Sequence, residues 1–179
     1  MINSPPVLGF CAQQSGTGKT TLLEQLIPAL HSLGIRVSVI KHAHHQFDID
    51  HKGKDSYRLR EAGAVQTLVA SNQRWALMTE LARIPNLDNE ADLSDLLAQL
   101  NPDFTDLVLV EGFKDADIAK IEVYRKGINT ENLATHDKNI IAIATDIALP
   151  IQTTQIDLND IDTIAGFIQT WLNHQTSEI

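Results

Sequence analysis

The feature that most constrains the fold is a short glycine-rich turn between an apolar run and a helical pattern. The apolar run covers residues 7–12, the turn covers 14–18, and leucines at helical spacing follow over 20–33. Gly16 and Gly18 allow backbone N–H groups to curve around phosphate oxygens, because no Cβ obstructs that conformation. The following helix adds free N–H donors and the positive end of its dipole. The sequence therefore predicts a strand, a phosphate-binding loop and a helix.

The residue types at the end of this turn indicate a nucleoside triphosphate bound with magnesium. Lys19 places an ammonium near the β- and γ-phosphates, and the hydroxyl of Thr20 is suited to Mg²⁺. The predicted nucleotide-binding residues are consecutive: Ser15, Gly16, Thr17, Gly18, Lys19, Thr20 and Thr21. The usual pattern begins with a glycine where this chain has Gln13, which leaves the entry of the loop open to question. A plain turn between strand and helix is the alternative, but such a turn needs neither the lysine nor the threonine.

Length and composition favour one globular domain. The chain has 179 residues, of which 43% are hydrophobic, so it can bury a real core. We expect a single nucleotide-binding domain over 1–179 with a β-hairpin extension near 65–80. No apolar run approaches the ~20 residues that cross a bilayer, and residues 1–6 carry no positive signal region. Cys11 is the sole cysteine, so the chain cannot form an internal disulfide, and we expect this thiol to be buried. Together these features predict a cytoplasmic protein with no membrane partner.

The charge of the chain excludes one broad class of partner. The net charge is −9, whereas a general nucleic-acid binder is normally basic, so we expect no nucleic-acid partner. The positive residues nevertheless include a local cluster: Lys41, Lys52, Lys54, Arg58 and Arg60. This cluster either attracts one anionic ligand or forms an ordinary solvated helix face, and the sequence favours neither interpretation.

Two buried strands end in acidic residues that point to nucleotide chemistry. The run 107–110 ends at Glu111, where a P-loop protein keeps the carboxylate that orients Mg²⁺ or the attacking water. We predict Lys19 and Glu111 as the catalytic residues; the alternative for Glu111 is a strand end in solvent. The run 140–144 is followed by Asp146, a carboxylate suited to the N–H donors of guanine. A helix cap or turn residue is the alternative for Asp146.

The segment 41–51 is unusually rich in histidine and contains two aspartates. Because the carboxyl ends of strands form the ligand edge of an open α/β sheet, we expect this segment beside the phosphate loop. Its histidines are suited to a transition metal, a phosphate or a protein partner, or they have no function in a polar loop. Permanent zinc is disfavoured because the segment has no cysteine. The predicted Mg²⁺ ligands are Thr20, Asp48, Asp50 and Glu111.

Two strand-like runs, 65–71 and 74–80, are joined by a short polar link and predict a β-hairpin. A lone two-stranded ribbon is marginal in water, so it needs a partner. We expect this partner to be a second copy of the chain, with the hairpin used in dimerisation. The alternative is an edge extension of the parent sheet.

The order of these elements predicts an α/β, P-loop NTPase-like fold with a mostly parallel sheet covered by helices. Further strands are expected at 36–40 and 118–124. Helices are expected at 55–62, 92–100 and 160–172.

Several motifs together resemble one known family. They are Ser15–Leu22, Ile40–His42, Gly53–Tyr57, Arg60–Ala64, Arg74–Glu80 and Val110–Lys114. In this order they are similar to the MobB family of molybdopterin-guanine dinucleotide biosynthesis adapter proteins. The resemblance implies a GTP-binding protein with at most weak GTPase activity, and a homodimer with an extended β-ribbon. It also implies two further partners: the guanylyltransferase that joins GMP to molybdopterin, and the molybdopterin cofactor itself.

Two other functions remain open from the residues alone. A P-loop small-molecule kinase would use Asp48 or Asp50 as the base, although no arginine-rich lid is evident in the sequence. A metal-delivery NTPase would use the histidines of 42–51. Slow hydrolysis is expected because no arginine or glutamine is clearly aimed at the γ-phosphate. Lys41 or Arg58 would alter that expectation if either reaches the site.

Overall fold

The computed structural model describes residues 4–43, 47–85 and 92–177. The strands are β1 (Val7–Cys11), β2 (Val37–Lys41), β3 (Gln66–Ala70), β4 (Trp75–Thr79), β5 (Leu107–Glu111), β6 (Lys120–Tyr124), β7 (Ile140–Thr145) and β8 (Thr154–Asp157). The helices are α1 (Lys19–Ser32), α2 (Asp55–Glu61), α3 (Leu93–Leu97) and α4 (Ile161–Ser177). The contacts divide the chain into two compact units, Met1–His42 with Leu97–Ile179, and Ala43–Leu96. The single domain expected from the sequence stays a prediction.

The first unit is built on a six-stranded sheet in the order β2-β5-β1-β6-β7-β8. Every neighbouring pair in this sheet is parallel. This confirms the predicted α/β class. The continuous apolar runs in the sequence form these strands, as expected for parallel strands that are buried on both faces. Strand β1 lies between β5 and β6, so the residues that follow these three strands meet at one edge of the sheet.

The core lies mainly between this sheet and helices α1 and α4. Leu8 and Phe10 of β1 pack with the buried leucines of α1, and Ile164 and Ile168 of α4 join the same cluster. The other face of β1 carries Cys11, whose thiol is buried. Burial, followed by the nearby Glu122 carboxylate, raises the pKa of this thiol to about 12. The thiol is therefore a small core group, as expected.

The structure shifts the ends of the predicted elements and adds one strand. Helix α1 runs through Pro28, and Gly34 follows its end with a φ of 80°. Strand β8 was not predicted, because its four residues include only one apolar side chain, Ile156. Within the described residues, no helix has the length and apolar character needed to cross a membrane.

The second unit contains the predicted hairpin. Strands β3 and β4 pair antiparallel, from Gln66 opposite Thr79 to Ala70 opposite Trp75. They form a separate two-stranded sheet, so the described chain does not show the alternative of an edge extension. Leu68 and Trp75 are 62% and 65% exposed. The use of this ribbon in dimerisation stays a prediction.

Candidate functional site

The glycine-rich loop has the backbone needed to surround an anion. Gly16 and Gly18 adopt φ values of 78° and 94°, which L-residues with a side chain rarely adopt. Gly18 is the N-cap of α1, and no side chain caps this helix end. The first N–H groups of α1 therefore lack the partner that a cap supplies, and such groups bind phosphate readily.

Gln13 shows why the loop does not need its usual first glycine. Among the described residues, the only non-glycine residue with a positive φ is Phe113, so Gln13 has ordinary backbone geometry. The Gln13 side-chain oxygen accepts from the backbone N–H of Thr130 at 3.0 Å and of Glu131 at 3.3 Å. Its nitrogen donates to the hydroxyl of Thr130 at 3.1 Å. Gln13 thus ties the entry of the loop to the segment after β6, a contact that the sequence did not predict.

Thr20, Glu111 and Lys41 form the chemical centre of this edge. The hydroxyl of Thr20 donates to Oε1 of Glu111 at 2.7 Å. Nζ of Lys41 lies 3.1 Å from the Thr20 hydroxyl and 3.2 Å from Oε2 of Glu111. The sheet register places these groups together, since Glu111 is opposite Lys41 on β2 and opposite Phe10 on β1. The predicted pair of Thr20 and Glu111 is thus adjacent, and Lys41 joins it.

The donor set fits magnesium. Mg²⁺ prefers oxygen ligands in an octahedron with bonds of about 2.1 Å, which places neighbouring ligand oxygens about 3.0 Å apart. The hydroxyl oxygen of Thr20 and Oε1 of Glu111 are 2.7 Å apart, so a small adjustment suffices. Glu111 is only 9% exposed, and this burial fixes its carboxylate at the strand end. Of the predicted ligands, these two would hold the ion together.

The residues after Glu111 make a tight turn against the end of β2. Gly112 has a φ of 98°, and a Cβ added there would lie 2.8 Å from Cβ of His42. Only glycine fits this position without movement. The N–H of His42 donates to the carbonyl of Glu111 at 2.8 Å, and the His42 and Phe113 rings stack with centroids 4.6 Å apart. The turn that follows Glu111 in the chain therefore helps to fix the position of this residue.

Arg125 is a basic residue at the loop that the sequence did not single out. Its Nε lies 3.5 Å from the carbonyl oxygen of Thr17. Its Nη2 would lie 3.5 Å from a Cβ added at Gly18. A lone arginine after a strand is a common pattern and carries no signal of its own, so only the fold could bring it to notice.

Asp146 lies after β7, as predicted, and is exposed. Its Oδ1 accepts from the backbone N–H of Lys126 at 2.8 Å. This contact is typical of a turn residue, which was the alternative to guanine binding. It involves only one carboxylate oxygen, so Oδ2 can still accept from a ligand. The guanine contact stays a prediction.

Asp48 and Asp50, the other predicted magnesium ligands, lie in the second unit. Asp48 Oδ2 pairs with Arg60 Nη2 at 2.7 Å, and Asp50 Oδ1 accepts from the hydroxyl of Ser56 at 2.8 Å. A hydrogen bond from the N–H of Asp50 lowers the pKa of Asp48, and Arg60 lowers it further. Their role as metal ligands is not tested by these contacts and stays a prediction.

The histidines and the basic cluster are the remaining candidate groups. The part of the chain that the structure describes contains no group of three or more His, Cys, Asp or Glu side chains suited to a metal. His44 and His45 lie outside the described residues. In the basic cluster, Arg58 pairs with Asp55 at 3.6 Å, whereas Lys41 reaches Thr20.

A parallel sheet with a glycine-rich loop after β1 and an acidic residue at the end of β5 defines a P-loop NTPase-like protein. The family model described as molybdopterin guanine dinucleotide synthesis protein B, MobB, matches residues 7–146. The chain therefore belongs to the MobB family.

Individual relatives agree with this assignment. The molybdopterin-guanine dinucleotide biosynthesis adapter protein of Escherichia coli K12 is 49% identical over 172 residues, which cover 95% of each chain. The protein of the same name from Haemophilus influenzae is 47% identical over 174 residues, covering 97% of this chain and 93% of the relative. The crystal structure of a MobB homolog from Bacillus stearothermophilus is 26% identical, with a TM-score of 0.68 and coverage of 94% and 98%.

Proposed function

We propose that this chain is a GTP-binding adapter in the synthesis of molybdopterin guanine dinucleotide. Family membership and the names of its full-length relatives support the adapter role. The single observation that carries nucleotide binding is the 2.7 Å contact between Thr20 and Glu111 at the start of α1. A hydroxyl and a carboxylate in contact beside a glycine loop are the ligands that a nucleotide-bound Mg²⁺ requires.

In this proposal the chain binds the triphosphate through fixed positive groups. The N–H groups of 16–21 and the ammonium of Lys19 bind the phosphates, and the Arg125 guanidinium adds a second positive charge at the loop. Thr20 and Glu111 hold magnesium, which neutralises phosphate charge when it is bound. The free oxygen of Asp146 accepts from guanine, which presents N–H donors where adenine does not.

Slow hydrolysis follows from the state of Glu111. In this proposal Glu111 serves as a magnesium ligand beside Thr20, so its carboxylate is not reserved for orienting a water molecule. A catalytic group aimed at the γ-phosphate is worth roughly 10³–10⁵ in rate, and Glu111 supplies little of it in this arrangement. The protein would then hold GTP longer than it hydrolyses it.

The proposed partners are a second copy of the chain, the guanylyltransferase that attaches GMP to molybdopterin, and molybdopterin itself. The exposed apolar residues of the β3–β4 ribbon support a contact between copies, because such a ribbon is marginal alone. The test of the adapter role is the rate of guanine dinucleotide formation by the guanylyltransferase, measured with and without this protein. An unchanged rate would contradict the adapter role.

The nucleotide proposal is tested by calorimetric titration of GTP and ATP with Mg²⁺. We expect GTP to bind more tightly than ATP, and Lys19→Ala to weaken GTP binding about ten- to a hundredfold, because a charged hydrogen-bond donor is lost. Thermal melting should change little. Lys138→Ala removes an exposed lysine and is the matched control. An unchanged GTP affinity in Lys19→Ala would mean that the site lies elsewhere.

The alternative of a small-molecule kinase predicts a different result. Such an enzyme would transfer the γ-phosphoryl group to an acceptor over many turnovers. Tight GTP binding with little turnover supports the adapter, and rapid multiple-turnover transfer would favour the kinase.

A further inference from the structure

We propose that Lys41 is a built-in cation at the magnesium position, so that this protein binds Mg²⁺ strongly only together with a nucleotide. This inference rests on the proposed nucleotide site and adds an order to its assembly. In this structure, the ammonium of Lys41 contacts Thr20 and Glu111, the residues that would hold the metal.

The contacts of Lys41 carry the inference. Its Nζ lies 3.1 Å from the Thr20 hydroxyl and 3.2 Å from Oε2 of Glu111, and these are the two residues that fit the ion. One ammonium therefore touches two of the four predicted ligands. A divalent ion bound to the Thr20 hydroxyl and Oε1 of Glu111 would face this positive charge at short range, so ammonium and metal oppose each other.

The two partners of this ion pair differ in their freedom to move. The Glu111 side chain is 11% exposed and is fixed at the end of an interior strand, whereas the Lys41 side chain is 54% exposed. Lys41 is the last residue of β2, and its long stem can swing into solvent without disturbing the sheet. The lysine is thus the group that leaves when the metal enters.

A triphosphate removes the conflict in two ways. Its oxygens complete the coordination of Mg²⁺, and its negative charge gives the displaced ammonium of Lys41 a new partner. Metal and nucleotide therefore bind cooperatively, and the coupling is reciprocal. Without Lys41, the metal would bind more easily in the absence of nucleotide, and this coupling would shrink.

The test measures metal binding to the full chain without nucleotide, with Mn²⁺ as the probe for magnesium and free Mn²⁺ followed by electron paramagnetic resonance. We expect Lys41→Met to bind Mn²⁺ roughly three- to tenfold more tightly than the unaltered protein, since one competing cation is removed. Lys52→Met removes the same charge from an exposed position and should leave Mn²⁺ affinity unchanged. Thermal melting checks folding, and Lys41→Gln is the second variant if the methionine is poorly tolerated.

A double variant locates the gained site. Adding Glu111→Gln to Lys41→Met should abolish the gain, because the metal loses its carboxylate ligand. The ratio of GTP affinities with and without Mg²⁺ should also fall in Lys41→Met. Unchanged Mn²⁺ affinity in Lys41→Met, or a gain that survives Glu111→Gln, would overturn the inference. Absent GTP binding in the unaltered protein would instead contradict the proposed function, and the metal titrations would still report on Lys41.

Discussion

The two units of this chain are stabilised by different interactions. The first unit buries apolar side chains between a parallel sheet and two helices, and residues such as Leu8, Leu109 and Ile121 are fully buried. In the described part of 43–96, Leu93 is the only buried hydrophobic side chain. The second unit has a charged centre instead. The candidate nucleotide site thus belongs to the unit with an apolar core, whereas the β3–β4 ribbon belongs to the unit with a charged centre.

Arg60 is that charged centre. Its guanidinium pairs with Asp48 at 2.7 Å and with Glu80 at 3.2 Å, and it lies 5.0 Å from the centre of the Tyr57 ring. The side chain of Arg83 donates to the carbonyl of Arg60 and so ties α2 to the segment after β4. Charge pairing responds to pH and salt far more than apolar burial does. The stability of the second unit should therefore depend more on pH and salt than the stability of the first.

The largest effect is expected from a cavity in the first unit. Leu109→Ala removes a fully buried side chain from β5 and should lower the free energy of unfolding by about 2–5 kcal/mol. Urea denaturation measures the loss. Leu59→Ala, at a position 62% exposed, is the control and should change stability by less than about 0.5 kcal/mol. Equal losses in both variants would remove the contrast between an apolar and a polar unit.

A smaller and local effect is expected from Arg60→Met. The variant leaves Asp48, Asp50 and Glu80 without their common partner, so hydrogen exchange should accelerate in α2 and the ribbon. Exchange in β1, β5 and β6 should stay unchanged, and so should GTP affinity. Arg58→Met removes an exposed arginine from the same helix and should leave exchange as it was. Faster exchange throughout the sheet would show that the units do not behave separately.

The smallest effect is expected from acid, which should destabilise the second unit at a higher pH than the first. The pKa of Asp48 is lowered by the N–H of Asp50 and by Arg60, so its stabilising contribution is present above its unfolded value of about 3.9 and is lost as the pH falls through the folded value. In the first unit, burial raises the pKa of Glu122, and a raised carboxyl pKa makes acid stabilising over its own range. Its effect opposes the acid-induced loss from Asp106, whose pKa is lowered by Arg36.

Hydrogen exchange measured between pH 7 and pH 3 tests this order. The ribbon and α2 should lose protection at a higher pH than β1 and β5. Simultaneous loss in both units would contradict the assignment of Asp48 and Arg60 as the acid-sensitive centre.

The sequence predicted the parts of the fold and site that depend on local pattern. The glycines, Lys19 and Thr20 lie within the five residues 16–20, and Glu111 directly follows a continuous apolar run. The hairpin was also predicted, because its two runs are separated only by a short polar link.

The parts that were missed depend on contacts between distant segments. Gln13 meets Thr130, and Arg125 meets Thr17, each across more than a hundred residues. The sequence left open whether Lys41 reaches the site, because its contact with Thr20 depends on the register of β2 against β5. The spacing of residues along the chain does not predict these contacts. Strand β8 was missed because it contains only one apolar residue.

The measurement that tests the central claim most directly is a crystal structure with a non-hydrolysable GTP analogue and Mn²⁺, with the metal located by its anomalous signal. The account predicts phosphates within the loop 15–21 and a metal about 2.1 Å from the hydroxyl of Thr20. Glu111 should lie at the metal, with Lys41 displaced from its present contacts. A metal bound away from Thr20 and Glu111, or a nucleotide bound away from the loop, would contradict it.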